Sequence, residues 1–464
     1  MNKKVLILLP DGVGLRNFAF TKFNKVGKNK GFNSTYWNNT LFDLGSLGLK
    51  ETKIVNSKLH PFTDILKSAK IHIELNQFIK KTKDSVYSTY KFPFSKNGLK
   101  ARFKSNLIKL LIKIFNSESG LKRINNQIKR KERNTLYYRE SIHTLETEKP
   151  SFVFCTNQRP VTAIAPLLAA KDLEIPTATF IFSWDNLPKA TMIVETDYYF
   201  VWSNFMKQEL QFYYPSIKKE QIYVTGTPQF EPHFDSSLVV NKEEFYNKYG
   251  LDFNKKYVCF SGDDITTSPD DEQYLEDVAL AIEKLNKQGN NIGVIFRRCP
   301  VDFSSRYDKV LKKYDNIIVS INPLWSQQGE TWNTVMPTAE DLKLLVNIIS
   351  YSELVINIAS SMVFDFAAFK KPCLYINYDV KNKKIKNWSS QKVYNFIHFR
   401  SMPTKETVIW LNNRDEIVSK VSKALNDSKT TVNFANDWFK VINVENPKQA
   451  SENIWNAINE IIVS

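Results

Sequence analysis

The sequence predicts an α/β protein of two Rossmann-like domains facing one cleft, followed by a terminal helix. Three observations predict it. Short apolar runs alternate with helical segments along the chain, which is the pattern of βαβ units and parallel sheets. The alternation stops at residues 228–241, PQFEPHFDSSLVVN, where two prolines and several turn residues read as a linker. It then restarts, and a length of 464 residues exceeds one ordinary domain. The expected division is a first domain over 1–235 with a basic helical insertion at 96–148, a second over 241–440, and a terminal helix within 445–464.

The elements follow in order. VLILLP (5–10) is a buried strand that ends at Asp11-Gly12-Val13-Gly14, with a helix expected on to Phe23. The run 51–60 contains a strand, and Pro61 opens a long helical region that resumes over 97–148. SFVFCTN (151–157), TATFIFSW (177–184), YYFVWS (198–203) and IYVTG (222–226) are strands, with an Ala- and Leu-rich helix over 161–171. In the second half, YVCFSG (257–262), IGVIFRR (292–298), IIVSIN (317–322), ELVINI (353–358) and CLYINY (373–378) are strands. Helices are expected over 270–287, 339–351 and 414–425. The helix Ala450–Val463 carries Ile454, Ala457, Ile458, Ile461 and Ile462 on one side. It either pads the second domain or crosses back to the first.

Composition sets limits. Hydrophobic residues are 42% of the chain, enough for sizeable cores. No run of about 18 apolar residues appears, so no membrane-spanning helix is expected. The start MNKKVLILLP resembles a signal peptide only superficially, because Asp11-Gly12 interrupts the apolar run without a small-residue cleavage site. Cys155, Cys259, Cys299 and Cys373 lie far apart in or beside apolar runs, which suits buried reduced thiols in a cytoplasmic protein. His60, His72, His143, His233 and His398 show no metal spacing, and no zinc motif, P-loop or kinase signature is present. No metal or cofactor is therefore expected.

The net charge of +16 is unevenly spread, because residues 96–133 hold twelve Lys or Arg and two Glu, a local excess of +10. Leu107, Ile108, Leu110, Leu111, Ile112, Ile114 and Phe115 are interleaved with Lys104, Lys109 and Lys113. A basic helix with an apolar face suits an anionic bilayer surface. The alternative is a solvated surface helix. Nucleic acid is not expected as a partner, since no helix-turn-helix, zinc-finger or RNP-like pattern accompanies the charge.

Five clusters stand where chemistry is expected, at strand ends. Residues 353–378 read as strand, Ser-Ser turn, helix, Lys-Pro, strand. Ser360 and Ser361 begin the helix, where free N–H groups and the helix dipole favour a phosphate, and Asp365 follows one turn later within reach of a ribose hydroxyl. The alternative is an ordinary βαβ unit with a Ser N-cap. Arg297 and Arg298 end another strand, where guanidinium groups suit phosphate or ion pairs. Ser261-Gly262-Asp263-Asp264 offers a glycine that lets a phosphate approach the backbone. In the first half, Asp11 either acts as general base toward a hydroxyl or caps the next helix, and Gly12 and Gly14 leave room beside it for an acceptor. The sequence lacks a complete GxGxxG there, since position 17 is Asn. Trp184 stacks on a sugar or packs in the core. Asp185 and Asn186 bind hydroxyls or close an Asx turn. His60 is a third candidate base. Trp325, Trp332 and Pro337 are placed where a flat base could stack.

These residues carry a resemblance. SWDNL, YYFVWS and VTGTPQFEPHFD, together with the SS…D…KKP…YINYD stretch, resemble bacterial GT-B glycosyltransferases of surface-polysaccharide synthesis. Those enzymes are related in architecture to the CDP-glycerol glycerophosphotransferases of teichoic acid synthesis and to capsule transferases. The resemblance covers most of residues 1–440 and is strongest at 183–235 and 353–379. It implies a nucleotide-sugar donor in the second domain, an acceptor in the first, and a fold that needs no metal. By position, Ser360, Ser361 and Arg297 would hold the donor phosphates and Asp365 the ribose. Asp365 stands where many relatives have Glu, a longer arm.

The expected function is transfer of a sugar from a nucleotide-sugar donor, UDP-linked, to a lipid-linked or polysaccharide acceptor. It would take place at the inner face of the cytoplasmic membrane, on a peripherally bound enzyme. The alternatives are a CDP-glycerol-type glycerophosphotransferase on the same fold and a non-catalytic carbohydrate- or nucleotide-binding protein.

Overall fold

The computed structural model of the chain describes residues 3–94, 97–327 and 335–463. It divides into two compact units, Met1–Pro228 with Gln449–Ser464, and Gln229–Lys448.

The first unit is built on a seven-stranded parallel sheet. Its strands are β1 (Lys4–Leu9), β2 (Asn33–Asn38), β3 (Glu51–Lys53), β4 (Phe152–Cys155), β5 (Thr177–Phe180), β6 (Tyr198–Val201) and β7 (Ile222–Val224). They lie in the order β3-β2-β1-β4-β5-β6-β7, with every neighbouring pair parallel. Central strands covered on both faces must be apolar throughout, and Val5–Leu9 and Phe152–Cys155 are fully buried. Connecting helices are α1 (Val13–Phe18) and α2 (Phe23–Asn29), then α3 (Thr63–Thr82), α4 (Leu99–Phe115), α5 (Glu118–Glu132) and α6 (Leu136–Glu148), and α7 (Ile164–Asp172) and α8 (Asn204–Tyr213). Thus β3 and β4 are joined by an insertion of four helices. Hydroxyl side chains open three helices by accepting an N–H bond: Ser117 from Gly120, Thr135 from Tyr138 and Ser203 from Met206.

The second unit carries β8 (Lys256–Ser261), β9 (Ile292–Arg297), β10 (Ile318–Ser320), the short antiparallel pair β11 (Ser326–Gln327) and β12 (Val335–Met336), then β13 (Val355–Asn357), β14 (Cys373–Ile376) and β15 (Ile409–Leu411). Its main sheet runs β10-β9-β8-β13-β14-β15, again parallel. The helices are α9 (Lys242–Tyr249), α10 (Asp271–Lys287), α11 (Asp308–Lys313), α12 (Ala339–Ser350), α13 (Met362–Ala368), α14 (Ser390–Val393), α15 (Ile417–Asn426) and α16 (Lys429–Ile442). The Lys-Pro before β14 has a structural use: Lys371 donates to the carbonyls of Ile349, Ser350 and Ser352 and caps the carboxyl end of α12. Burial pushes its ammonium down to about 8.

The terminal helix α17 (Ala450–Val463) belongs to the first unit, which resolves the two placements left open by its sequence. Trp455 is fully buried there. It stacks on Phe23 and Phe32 at 4.9 and 4.7 Å and donates from Nε1 to the Phe23 carbonyl at 2.8 Å. Gly27 makes room for it, since a Cβ at that position would lie 2.4 Å from the indole ring.

Several elements differ from expectation. Strands β2 and β15 are not expected from the sequence, because Asn33, Ser34 and Asn38 dilute the apolar signal in β2 and β15 has only three residues. The helix expected on to Phe23 is two short helices separated by a turn. The run 177–184 extends only to Phe180, because beyond it the chain leaves the ladder to form the 183–190 loop. The linker region holds two 3-10 turns, Pro228–Phe234 and Ser236–Leu238.

Candidate functional site

Each main sheet grows outward in both directions from a central pair. In the first unit the order reverses between β1 and β4, and in the second between β8 and β13. At such a point the loops leaving the two strands diverge and open a crevice at the carboxyl ends, the usual ligand position of an open α/β sheet. The loops at issue are 10–12 and 156–160 in the first unit, and 262–270 and 358–361 in the second.

At the first reversal, Asp11 and Asn157 meet across the strands. Asn157 Nδ2 donates to Asp11 Oδ2 at 3.0 Å, and the Val13 N–H donates to Oδ1 at 3.3 Å. Asp11 thus also closes the turn into α1. Burial raises its carboxyl above the usual range, partly offset by Asn157, by the charge of Arg159, and by backbone N–H groups. The next loops join this edge. Gln158 donates from Nε2 to Asn186 Oδ1 at 3.0 Å and accepts the Phe182 N–H at 2.9 Å. Asp185 accepts from Ser183 Oγ and Asn186 Nδ2, and pairs with Lys189. Asp11, Asp185 and Asn186 therefore share one sheet edge, linked through Asn157 and Gln158.

Other expected residues of this unit have structural duties. Trp184 keeps 7% of its surface and Asn186 4%, so both are packed into the unit. Gly12 is buried and immediately precedes α1. Gly14 is required by packing, as a Cβ would stand 2.5 Å from Thr156 Oγ1. His60 lies apart, beyond the edge strand β3. Its N–H bonds Glu132 Oε1 at 3.0 Å, and its Nδ1 accepts from the Phe62 N–H at 3.2 Å. Burial and the charge of Lys131 lower its pKa.

At the second reversal the Ser-Ser turn is tightly held. Ala359 adopts a left-handed backbone, φ +53°, which costs an L-residue about 1–2 kcal/mol. Its N–H donates to Tyr394 Oη at 3.2 Å. The Ser360 N–H donates to Asn357 Oδ1 at 3.0 Å, and Tyr375 Oη donates to the Ser360 carbonyl at 3.0 Å. Ser361 is the residue before α13, exposed and making no side-chain cap bond. Strain kept in place by three side chains is a mark of a functional loop.

Opposite this turn, Gly262 follows β8 in close packing, where a Cβ would lie only 3.0–3.3 Å from Phe296, Tyr307 Oη and Asp271 Oδ2. Asp263 and Asp271 face each other here, the Asp263 N–H donating to Asp271 Oδ2 at 3.1 Å. Burial, with the charges of Asp271 and Asp264, raises Asp263 well above the ordinary carboxylate range. Arg306 organises the loops: it donates to the carbonyls of Ser268 and Asp263 and to Asp302, and it covers the Tyr307 ring at 4.7 Å. Arg298 lies over the same ring at 5.2 Å and donates to the Ser304 carbonyl at 2.7 Å.

Two residues expected to touch the donor have internal partners. Arg297 is buried, and its Nη2 donates to both oxygens of Asp341, at 3.0 and 2.8 Å. Its Nη1 has no hydrogen-bond partner among the described residues. The ion pair expected as one explanation for Arg297 is present, in the interior and not at the surface. Asp365 Oδ1 lies 2.7 Å from His233 Nε2, both side chains buried. Trp325 donates from Nε1 to Asp341 Oδ2 at 2.8 Å, and Trp332 lies outside the described residues. Asn157, Gln158, Arg306, Asp341 and His233 are the contributors that sequence reasoning missed. Asn157 and Gln158 had a usable signal, since they end the strand SFVFC as Asp11 ends VLILLP.

By fold, the chain is similar to several solved structures at full length. S. aureus MnaA in a co-structure with UDP has a TM-score of 0.54 at 12% identity, covering 99% of this chain and 97% of that one. A UDP-N-acetylglucosamine 2-epimerase has a TM-score of 0.54 at 12% identity, covering 100% and 96%. A glycosyltransferase from Rickettsia africae ESF-5 has a TM-score of 0.52 at 14% identity, covering 99% and 100%. At these identities the likeness is one of fold, the GT-B fold. No curated protein matches by sequence. Residues 186–458, more than half of the chain, match the family CDP-Glycerol:Poly(glycerophosphate) glycerophosphotransferase, and the chain belongs to that family, with the GT-B fold.

Proposed function

We propose that the chain transfers a group from a nucleotide-diphosphate donor, bound at the β8/β13 reversal, to a lipid-linked or polysaccharide acceptor, with Asp11 as the base. The observation that carries this reading is the strained Ala359 turn, which is held by Asn357, Tyr375 and Tyr394 and presents Ser360 and Ser361 at a sheet reversal. The Ser360 and Ser361 hydroxyls bond the donor phosphates, with Arg298 and Arg297 Nη1 supplying charge and the Gly262 backbone lying alongside. Asp365 reaches a ribose hydroxyl only while sharing its carboxylate with His233. Gly12 gives the acceptor access beside Asp11, while Gly14, Trp184 and Asn186 shape the loops around it. Asp185 and His60 are the substitute bases.

In the reaction the acceptor hydroxyl passes its proton to Asp11 as its oxygen attacks. With CDP-glycerol the attack is at the β-phosphorus, a new phosphodiester forms, and CMP leaves. The family match supports this donor. With a UDP-sugar the attack is at the anomeric carbon and UDP leaves. This second reading is supported by S. aureus MnaA, a fold neighbour that binds UDP. A lipid-linked acceptor places the enzyme peripherally at the inner face of the cytoplasmic membrane. No helix among the described residues is long and apolar enough to cross it.

The test is donor turnover with a polyprenyl-linked or teichoic-type acceptor, resolving CMP from UDP by chromatography. Acceptor-dependent CMP release identifies a glycerophosphotransferase, and UDP release a glycosyltransferase. Nucleotide binding by thermal shift without release of either would overturn catalysis and leave a binding protein.

A further inference from the structure

The loop that leaves β8 carries two neighbouring carboxyls in opposite surroundings. Asp264 collects donors: the Thr266 N–H at 2.7 Å, the Thr267 N–H at 3.2 Å, the Thr267 hydroxyl at 2.8 Å and the Thr266 hydroxyl. Burial pushes its carboxyl up, but these bonds outweigh burial and hold Asp264 below the usual range, as a carboxylate. Asp263 collects none. Its side chain is partly buried, and its Oδ2 is sealed from solvent without a hydrogen-bond partner among the described residues.

The groups that face Asp263 do not neutralise it. Arg306 is committed to Asp302 and to the carbonyls of Ser268 and Asp263 itself. Asp271 of α10 accepts the Asp263 N–H at 3.1 Å and the Tyr307 hydroxyl at 2.7 Å, and its own charge repels a second carboxylate. A sealed oxygen without a donor is tolerated in a neutral acid and not in a carboxylate.

The side chain also stands in a telling place. Burial first, with the Asp263 charge among the further causes, raises the hydroxyls of Tyr375 and Tyr394, the two groups that hold the Ser360 turn. Burial and, first among the charges, Asp263 push the Cys299 thiol, just beyond β9, up to about 12. The Asp263 carboxyl is thus at the β8/β13 reversal, between the loop after β9 and the turn that presents Ser360 and Ser361.

We infer that Asp263 serves this crevice as a neutral carboxylic acid, its O–H donating to a phosphate oxygen of a bound nucleoside diphosphate. This role rests on the donor placement proposed above, and adds to it a group that binds phosphate without carrying charge. An ionised carboxylate here would repel the ligand, whereas a neutral acid gives it a hydrogen bond, and the bound anion in turn holds the proton in place. A cation is a poorer occupant. Asp264 and Asp271 are already engaged by hydroxyls and backbone N–H groups, and among the described residues no three His, Cys, Asp or Glu side chains are grouped to hold a metal ion.

The test is calorimetric titration of the full chain with CDP and with UDP at neutral pH, together with infrared difference spectra, for the wild type, Asp263→Asn and Asp263→Ala. The wild type minus Asp263→Asn spectrum should show the carbonyl stretch of a protonated carboxyl, and that band should move to lower frequency when nucleotide binds. The amide of Asp263→Asn keeps an N–H donor, so its affinity should stay within about threefold of the wild type, whereas Asp263→Ala should bind roughly ten- to a hundredfold more weakly. Neither variant should lose thermal stability, since no described residue bonds the side chain. With nucleotide bound by the wild type, a carboxylate band in place of the acid band, equal affinity in Asp263→Ala and the wild type, or equal loss in both variants overturns the assignment and leaves the donor placement standing. If the wild type binds neither nucleotide, the donor placement falls and the role of Asp263 falls with it.

Discussion

Replacing Asp11 by Asn tests the proposed chemistry most directly. The carboxylate is half-buried and accepts two donors, Asn157 Nδ2 at 3.0 Å and the Val13 N–H at 3.3 Å. An amide of the same shape has one oxygen, so one of those bonds is lost, at about 1 kcal/mol of stability. The loss of a general base is larger, about 10²–10⁴ in rate, or about 3–5 kcal/mol of activation free energy. The expected variant is thus folded, binds donor nucleotide normally, and turns over at least about a hundredfold more slowly. A second variant, Asp11→Asn with Asn157→Asp, exchanges the two groups. It should recover stability without recovering rate, because the carboxylate then stands on the β4 side. The pH profile adds an independent reading. Burial raises the Asp11 pKa, so the ionised base accumulates as pH rises through that value, and kcat/KM should climb on the acid side and level off. Acceptor-dependent nucleotide release measured across pH for the wild type and both variants decides the matter. Turnover near the wild-type value in Asp11→Asn, with its acid limb intact, would move the role to Asp185 or His60, or to chemistry without a protein base.

Asp341→Ala should destabilise the chain by about 3–5 kcal/mol, because it leaves the buried Arg297 cation without its carboxylate and strips the Leu324 N–H and Trp325 Nε1–H of their acceptor. Urea unfolding would show this as a lowered midpoint, and an unchanged midpoint would mean the pair is dispensable. Trp455→Ala should cost about 3–5 kcal/mol through the cavity left between Phe23 and Phe32, read by the same assay. Burial pushes Glu74 up to about 7, above its ordinary value near 4.5, so the folded state retains this proton where the unfolded state releases it. Its contribution is therefore complete below about pH 4.5 and is lost as pH rises through about 7, by up to about 3 kcal/mol. Glu74→Gln should flatten that part of the stability–pH curve, and parallel curves for the two proteins would count against the raised pKa.

Much of this was legible because the signal is local. An apolar run of four to six residues bounded by turn residues codes a buried parallel strand by itself, and VLILLP, SFVFC and YVCFS all became central strands. Strand ends at Asp11, Gly262, Arg297 and Ser360 follow from the same runs, since a functional loop in such a sheet must leave a carboxyl end. Strand β2 escaped because its polar ends hide it, although its burial at Tyr36–Asn38 is as complete as that of its neighbour β1.

What each polar group does at those ends was not legible. Arg297 meets Asp341, 44 residues away; His233 meets Asp365, 132 residues away; Trp455 meets the Phe23 carbonyl, 432 residues away. The same holds for α4. Its composition showed a basic helix with apolar residues, but which apolar residues face inward depends on where α3 and α5 lie. The sequence by itself therefore determined the alternation of strands and helices, the two sheets and the loops at the carboxyl ends of their strands, because periodicity and turn chemistry act over a few residues. Only the tertiary structure decided which carboxylate neutralises which cation, which ring closes over α17 and which face of α4 is left outside. Those choices are made by burial, where a polar group must find a partner and an apolar group must find a cavity, whatever their separation along the chain.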